Sequence, residues 1–361
     1  MSTLFSVAHC VLASFALAHG PALHDPSAAV LDLPAKAISE ELLMETIRSL
    51  PAKRAANGSP EHLEGLRKTE AWLEQALAEM GYEVHTQEFD WAPRPRRAEN
   101  PPSTWKNIWV EIPGRSKPSE VLIVGAHFDA VPQSPGADDN ASGTAALLEL
   151  ARVLEGRPMA RTVRLLFFNL EEVGLVGSRE YVSQIARPAL REGRETIIGM
   201  ISLDGVGYYS SEPGSQQWPP QVELFGLGNL LPTTADFIAL NGIQSDRVFT
   251  DPLAAAMLEA EPDLKILRAD ELMAFHLPDQ LRSDHASFIP LAVPAIQFAD
   301  TSNFRSRHYH QPSDTPETLD MVMYTRFVRA LAHGVWTVAG PLGIETEAAP
   351  PESGDAAVKD D

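Results

Sequence analysis

Cysteine is almost missing from this chain: Cys10 is the only one. No internal disulfide can form and a thiolate metal site is excluded, so any metal ligand has to be His, Asp or Glu. Positive charge is also scarce. Asp and Glu outnumber Lys and Arg 49 to 29, a formal charge of -20. Such a polyanion is repelled by nucleic acid and by anionic lipid, so neither is expected as a partner. Residues 1–24 carry no Lys, Arg, Asp or Glu at all, and residues 4–18 are apolar apart from His9 and a few small polar side chains. That run is too short to span a bilayer, but it has the length of a signal h-region and ends in Ala16-Leu17-Ala18, which resembles a signal-peptidase site. Although the n-region lacks a basic residue, we expect a cleaved secretory signal over 1–18 and hence export to the periplasm or the exterior. A flexible leader is expected over 19–34. No other stretch is long and apolar enough for membrane insertion.

What remains is ordinary in bulk. A chain of 361 residues that is 44% apolar suits one α/β domain, here placed over 35–340, before a Pro-, Ala- and acid-rich tail over 341–361 expected to be disordered. The central stretch is 121–143, VLIVGAHFDAVPQSPGADDNASG. Four consecutive apolar residues read as a strand buried on both faces. The strand runs out in His127-Phe128-Asp129, where positions i and i+2 share a side, so Asp129 can reach the His127 imidazole. Asp138-Asp139-Asn140 then precedes an apolar-periodic helix. Each feature alone has a bland explanation, a structural hydrogen bond or a helix cap.

The rest of the chain repeats the pattern. TVRLLFFNLEE is an apolar strand followed by Glu171 and Glu172, TIIGMISLD ends in Asp204, and a strand over 293–299 ends at Asp300. Helices are expected over 38–50, 59–80, 251–261 and 321–339, with another near 236–241. Strands are expected over 82–91 and 107–112, and residues 205–235 read as a long functional loop. Strands alternating with helices predict an α/β fold with a central mixed, mostly parallel sheet flanked by helices. Sites in such sheets gather beyond the carboxyl ends of the strands. Oxygen and nitrogen donors without sulfur suit zinc, with manganese or cobalt as substitutes.

Together GAHFDAV, GADDNASG, NLEEVGLVGS, SLD and YHQPSDTPETLD resemble the dinuclear zinc exopeptidases of the bacterial leucyl aminopeptidase type. This is metallopeptidase family 28, which also contains glutamate carboxypeptidases, glutaminyl cyclases and transferrin receptors. The resemblance runs from about 38 to 339. It implies two Zn²⁺, one held by His127 and Asp204 and the other by Glu172 and His310, with Asp138 bridging. It further implies Glu171 as general base and Asp129 as the partner that orients His127. His310 fits the family pattern and His308 does not. Asp284 and His285 are expected to touch substrate or lie just behind the ligands.

The activity implied is release of N-terminal residues from peptides. A carboxypeptidase would want an arginine cluster, for which Arg305 and Arg307 are the candidates. A cyclase would use one zinc, and a receptor-like binding protein would have lost ligands. The region over 205–244 is expected to shape the specificity pocket.

Overall fold

The computed structural model describes residues 33–93, 103–224, 226–272 and 277–342. The expected signal, nearly all of the leader and all but the start of the acidic tail lie outside these residues.

Eight strands form a single sheet in the order β1-β2-β4-β3-β5-β8-β6-β7. They are β1 (His85–Trp91), β2 (Ser103–Ile112), β3 (Lys117–His127), β4 (Arg161–Phe168), β5 (Thr196–Leu203), β6 (Ile238–Asn241), β7 (Ile266–Arg268) and β8 (Ala295–Ala299). The four central strands β4, β3, β5 and β8 are mutually parallel, while β1, β2 and β4 pair antiparallel and β6 runs antiparallel to β8. The sheet is thus mixed with a parallel centre. Burial explains why the centre is parallel: Leu122, Ile123 and Val124 are fully buried, as are Leu165, Leu166 and Phe167 of β4. Strands covered on both faces are the ones that helical crossovers join in parallel.

Helices cover both faces. Glu40–Ser49 is capped by the Ser39 hydroxyl, which accepts from Leu42 N–H, and Met321–Ala339 by the Asp320 carboxylate, which accepts from Met323 N–H. Each cap satisfies one of the first backbone donors of its helix. Pro60–Glu79, Gly143–Leu154 and Arg247–Ala260 lie on the same face, and the helical segment from Val176 to Arg191 covers the other. No described helix is long and apolar enough to cross a membrane.

One expected element is corrected. Residues 238–241 of the segment expected to be helical form β6, which pairs with β7 and β8. Only four residues are involved, so their pairing partners rather than a local period decide the conformation.

The parallel centre is what matters for function. His127 ends β3, Glu171 and Glu172 follow β4, Asp204 follows β5 and Asp300 follows β8. Four adjacent parallel strands therefore deliver all of these side chains to one rim.

Candidate metal centre and adjoining cavity

Two groups of donors meet at that rim, with the ligand atoms of each group within 4.8 Å of one another: His127, Asp139 and Asp204, and Asp139, Glu172 and His310. His127 Nε2 lies 3.3 Å from Asp139 Oδ1 and 3.6 Å from Asp204 Oδ1. His310 Nε2 lies 3.0 Å from Asp139 Oδ2 and 3.3 Å from Glu172 Oε2. Asp139 is thus the shared member, one oxygen toward each histidine.

This corrects the expectation for Asp138. Its Oδ1 accepts from Gly207 N–H at 2.8 Å and its carboxyl pairs with Asp300, away from the histidines. The local backbone explains the exchange. Gly136 turns the chain through the left-handed region at φ 63°, and Asp314 then accepts from Asp138 N–H (2.9 Å) with one oxygen and from Asp139 N–H (3.2 Å) with the other. With both amides pinned, the two adjacent side chains diverge and Asp139 faces the histidines.

The same device holds the opposite wall. Asp129 Oδ1 lies 3.5 Å from His127 Nδ1, whose nearer partner is the Asp129 carbonyl oxygen at 3.2 Å. The carboxylate's stronger contacts are to the 171–172 turn, where it accepts from Glu171 N–H at 3.0 Å and Glu172 N–H at 3.2 Å. Behind this turn is a buried polar row. Asn169 Nδ2 donates to Glu70 Oε1 (2.8 Å), Asn169 N–H to Asn107 Oδ1 (3.1 Å) and Asn107 Nδ2 to Gln87 Oε1 (2.9 Å). Arg54, also buried, donates to the carbonyls of Pro51, Phe128, Pro135 and Gly136 and so ties the loop after β3 together. Neither Arg54 nor Glu70 carries a sequence signal for this role, since their partners are remote in the chain.

The electrostatics are those of a site built for cations. Burial raises Glu171 well above the ordinary carboxylate range, with Glu172, Asp204 and Asp284 adding to the effect against the pull of His127. Burial and Asp139 push Glu172 up to about 7. Burial disfavours charge on the His127 ring, but Glu171, Asp129, Asp139 and Asp204 outweigh it and hold the imidazole well above its usual value. His310 rises to about 10, because Asp139 and Glu172 overcome its desolvation. Two imidazoles do not balance this many buried carboxylates, and uncompensated buried charge is costly. In addition, Glu172 Oε1 is buried without a hydrogen-bond partner among the described residues, and His310 Nε2 faces two carboxylates. The nitrogen and oxygen donor set, its arrangement in two triads and the unpartnered Glu172 oxygen fit zinc.

Beside the carboxylates opens a cavity of about 120 Å³, lined by Asp139, Glu171, Glu172 and Asp204. Most of its remaining wall is apolar, including Trp218, Val222, Leu227 and Leu231 from the long loop after β5, and Leu277. Val222 and Leu277 pack there with Trp218, Leu227 and Leu231 as a cluster separate from the main core. The long loop thus shapes the pocket, as its composition leads one to expect.

Other candidates fall elsewhere. Asp284 and His285 are fully buried and are not among the cavity-lining residues, so their placement does not support contact with substrate. Asp284 instead sits within electrostatic reach of His127 and Asp204. Arg305 is buried, donating to Gln216 Oε1 and to the carbonyls of Tyr208 and Phe237, and neither it nor Arg307 lines the cavity. Among the described lining residues the one cation is Arg282, which donates to Asn303 Oδ1 and Tyr309 Oη. His308 contacts Ser313 and lies outside both triads.

Comparison with known proteins bears on the family and the fold. Residues 107–335 match the family model of Peptidase family M28. The uncharacterized protein YfbL of Escherichia coli is 30% identical over 290 residues, covering 78% of this chain and 83% of its own length. Aminopeptidase YwaD of Bacillus subtilis is 40% identical over 100 residues, 28% of this chain and 21% of that protein. The solved structure of BSAP, a zinc aminopeptidase from Bacillus subtilis, superposes with a TM-score of 0.62 at 16% identity, covering 83% of this chain and 95% of that one.

Proposed function

The chain belongs to peptidase family M28, and from that premise we propose that it is an exported zinc aminopeptidase that removes single residues from the N-terminus of peptides. One zinc would be held by His127, Asp139 and Asp204, the second by Asp139, Glu172 and His310. When bound, zinc supplies Lewis acidity, drawing charge from a carbonyl oxygen and making water a stronger acid.

The protein's own groups do the rest. Asp129 and Asp314 fix the backbone of the two turns that carry Glu171, Glu172 and Asp139, so these carboxylates are positioned before substrate arrives. Glu171 lines the cavity without belonging to either triad, which leaves it free to take a proton from the attacking water and pass it to the departing amine. The apolar wall takes the side chain of the first residue.

The polarity of the reaction rests on one observation: five carboxylates line the cavity, of which Glu171 and Asp279 would stay outside the zinc ligands, and the one cation among the described lining residues is itself engaged with Asn303 and Tyr309. Such a rim attracts a protonated amino terminus and repels a free carboxylate. A carboxypeptidase would need the reverse. Signal cleavage after Ala18 is part of the same proposal.

The test measures zinc per chain together with hydrolysis of free-amine and N-acetylated aminoacyl anilides, before and after chelation. Two zincs per chain and chelator-sensitive turnover of the free amines alone are expected. Faster turnover of acetylated substrates would reject the assignment. Replacement E171Q should keep the zinc and lose turnover by at least about 100-fold, the scale of general-base catalysis.

A further inference from the structure

Three side-chain amides line the cavity: Asn241 in β6, Gln280 in the 278–281 turn and Gln297 in β8. They form one hydrogen-bonded row. Gln297 Nε2 donates to Asp204 Oδ2 at 3.5 Å, Asn241 Nδ2 to Gln297 Oε1 at 3.1 Å and Gln280 Nε2 to Asn241 Oδ1 at 3.4 Å. At the far end Leu277 N–H donates to Gln280 Oε1 at 2.8 Å.

The direction of this row is set from both ends. A carboxylate at one end only accepts and a backbone N–H at the other only donates, so turning any amide over would oppose like to like. In this direction each amide oxygen of the row accepts one hydrogen bond. Each amide nitrogen has one recorded acceptor among the described residues, which leaves one N–H apiece. The row therefore presents amide N–H donors beside the apolar part of the cavity wall. A hydrocarbon filling the cavity would strand those donors, whereas a ligand with an acceptor would satisfy them.

We propose that the cavity selects an N-terminal residue with an unbranched aliphatic stem and a hydrogen-bond acceptor at its tip, glutamine first, with Asn241 and Gln280 as the specificity-determining residues. The inference rests on the aminopeptidase reading. The stem packs on Val222, Leu227 and Leu277, and the side-chain carbonyl accepts from the row. The substrate's own amide nitrogen finds an acceptor in Asp279, which also lines the cavity. A carboxylate tip is disfavoured because Asp279, which is not a zinc ligand, lines the same space. The volume of about 120 Å³ is comparable with a cavity of roughly 150 Å³ that admits benzene, so a side chain of this length fits.

Glutamine and norleucine share the unbranched stem and nearly the same size, so comparing them isolates the tip. The experiment measures kcat/KM of the zinc-loaded full chain for release of aminomethylcoumarin from glutaminyl and norleucyl amides, with mass spectrometry of the products. We expect glutamine to be favoured by about tenfold, because a site built to hydrogen-bond a group discriminates strongly against analogues lacking it. The ratio should fall at least tenfold in N241L and in Q280M. A wild-type preference for norleucine overturns the proposal without recourse to any variant, as does an unchanged ratio in both folded variants. If neither amide releases amine, the aminopeptidase reading itself fails. Conversion of the glutaminyl amide to the pyroglutamyl product without amine release would identify a cyclase instead.

Discussion

The adjacent pair Asp138 and Asp139 offers a sharp test, because neighbouring carboxylates of identical chemistry are assigned opposite roles. In D139N the shared oxygens that lie 3.3 Å from His127 and 3.0 Å from His310 become a neutral amide, and both triads lose a member. Losing only an outer partner of a ligand costs about 10–100-fold in metal affinity. Losing a donor common to two ions should therefore exceed 100-fold, or about 2.7 kcal/mol. D138N should behave differently. Burial and Asp300 push the Asp138 pKa well above its usual value, which favours the neutral form that asparagine mimics. Asparagine can keep the acceptor for Gly207 N–H and offer its own N–H to Asp300 in place of the proton. Stability should change by no more than about 1 kcal/mol, the scale of one exchanged hydrogen bond. The assay is zinc per chain by atomic emission after dialysis against buffered nanomolar zinc, with circular dichroism to establish folding. Zinc retained in D139N and lost in D138N would refute the reasoning.

Three further outcomes follow from the surrounding residues. D314N puts an amide where two backbone N–H groups need acceptors, so zinc affinity should fall about 10–100-fold while the fold persists; competition with a calibrated chelator measures it. Glu70 has its pKa raised to about 7, chiefly by burial. Between about 4.5 and 7 the native state therefore holds a proton that the unfolded chain releases, and this stabilisation is complete at low pH and lost as pH rises through 7. Over the window the loss is about 3 kcal/mol, and E70Q, which keeps the oxygen facing Lys106 N–H and Asn169, should remove that slope from urea melts between pH 5 and 8. A steeper slope in E70Q would be the wrong sign. A methyl group at Gly65 would meet the Lys53 carbonyl oxygen at 1.8 Å, so G65A should destabilise by about 2–3 kcal/mol despite its better helix propensity. It should also disturb Arg54, the next residue, which makes reduced turnover in the folded fraction a second readout.

The parts of the site that were legible in the sequence are the ones with local causes. His127, Glu172 and Asp204 each stand at or just beyond the end of an apolar strand, and the parallel centre of the sheet brings such positions together. The choice between Asp138 and Asp139 was not legible. It depends on a left-handed turn at Gly136 and on a carboxylate at Asp314, far along the chain, accepting from both amides. The strand β6 escaped for the same reason, since four residues carry too short a pattern and Ala299, Phe298 and Gln297 of β8 settle their state. Arg54 is the extreme case: two of its acceptors, Phe128 O and Gly136 O, lie 74 and 82 residues away, and a backbone carbonyl has no identity that a sequence could display. A division of labour results. Donor atoms are chosen locally, by which residue type follows a strand, whereas their aim is set by remote groups that grip backbone amides and carbonyls. Asp129 holds the 171–172 turn, Asp314 the 138–139 turn and Glu70 the Asn169 side chain behind them. Since aim and identity are encoded separately, a substitution can keep every donor and still lose the metal, which is what D314N examines.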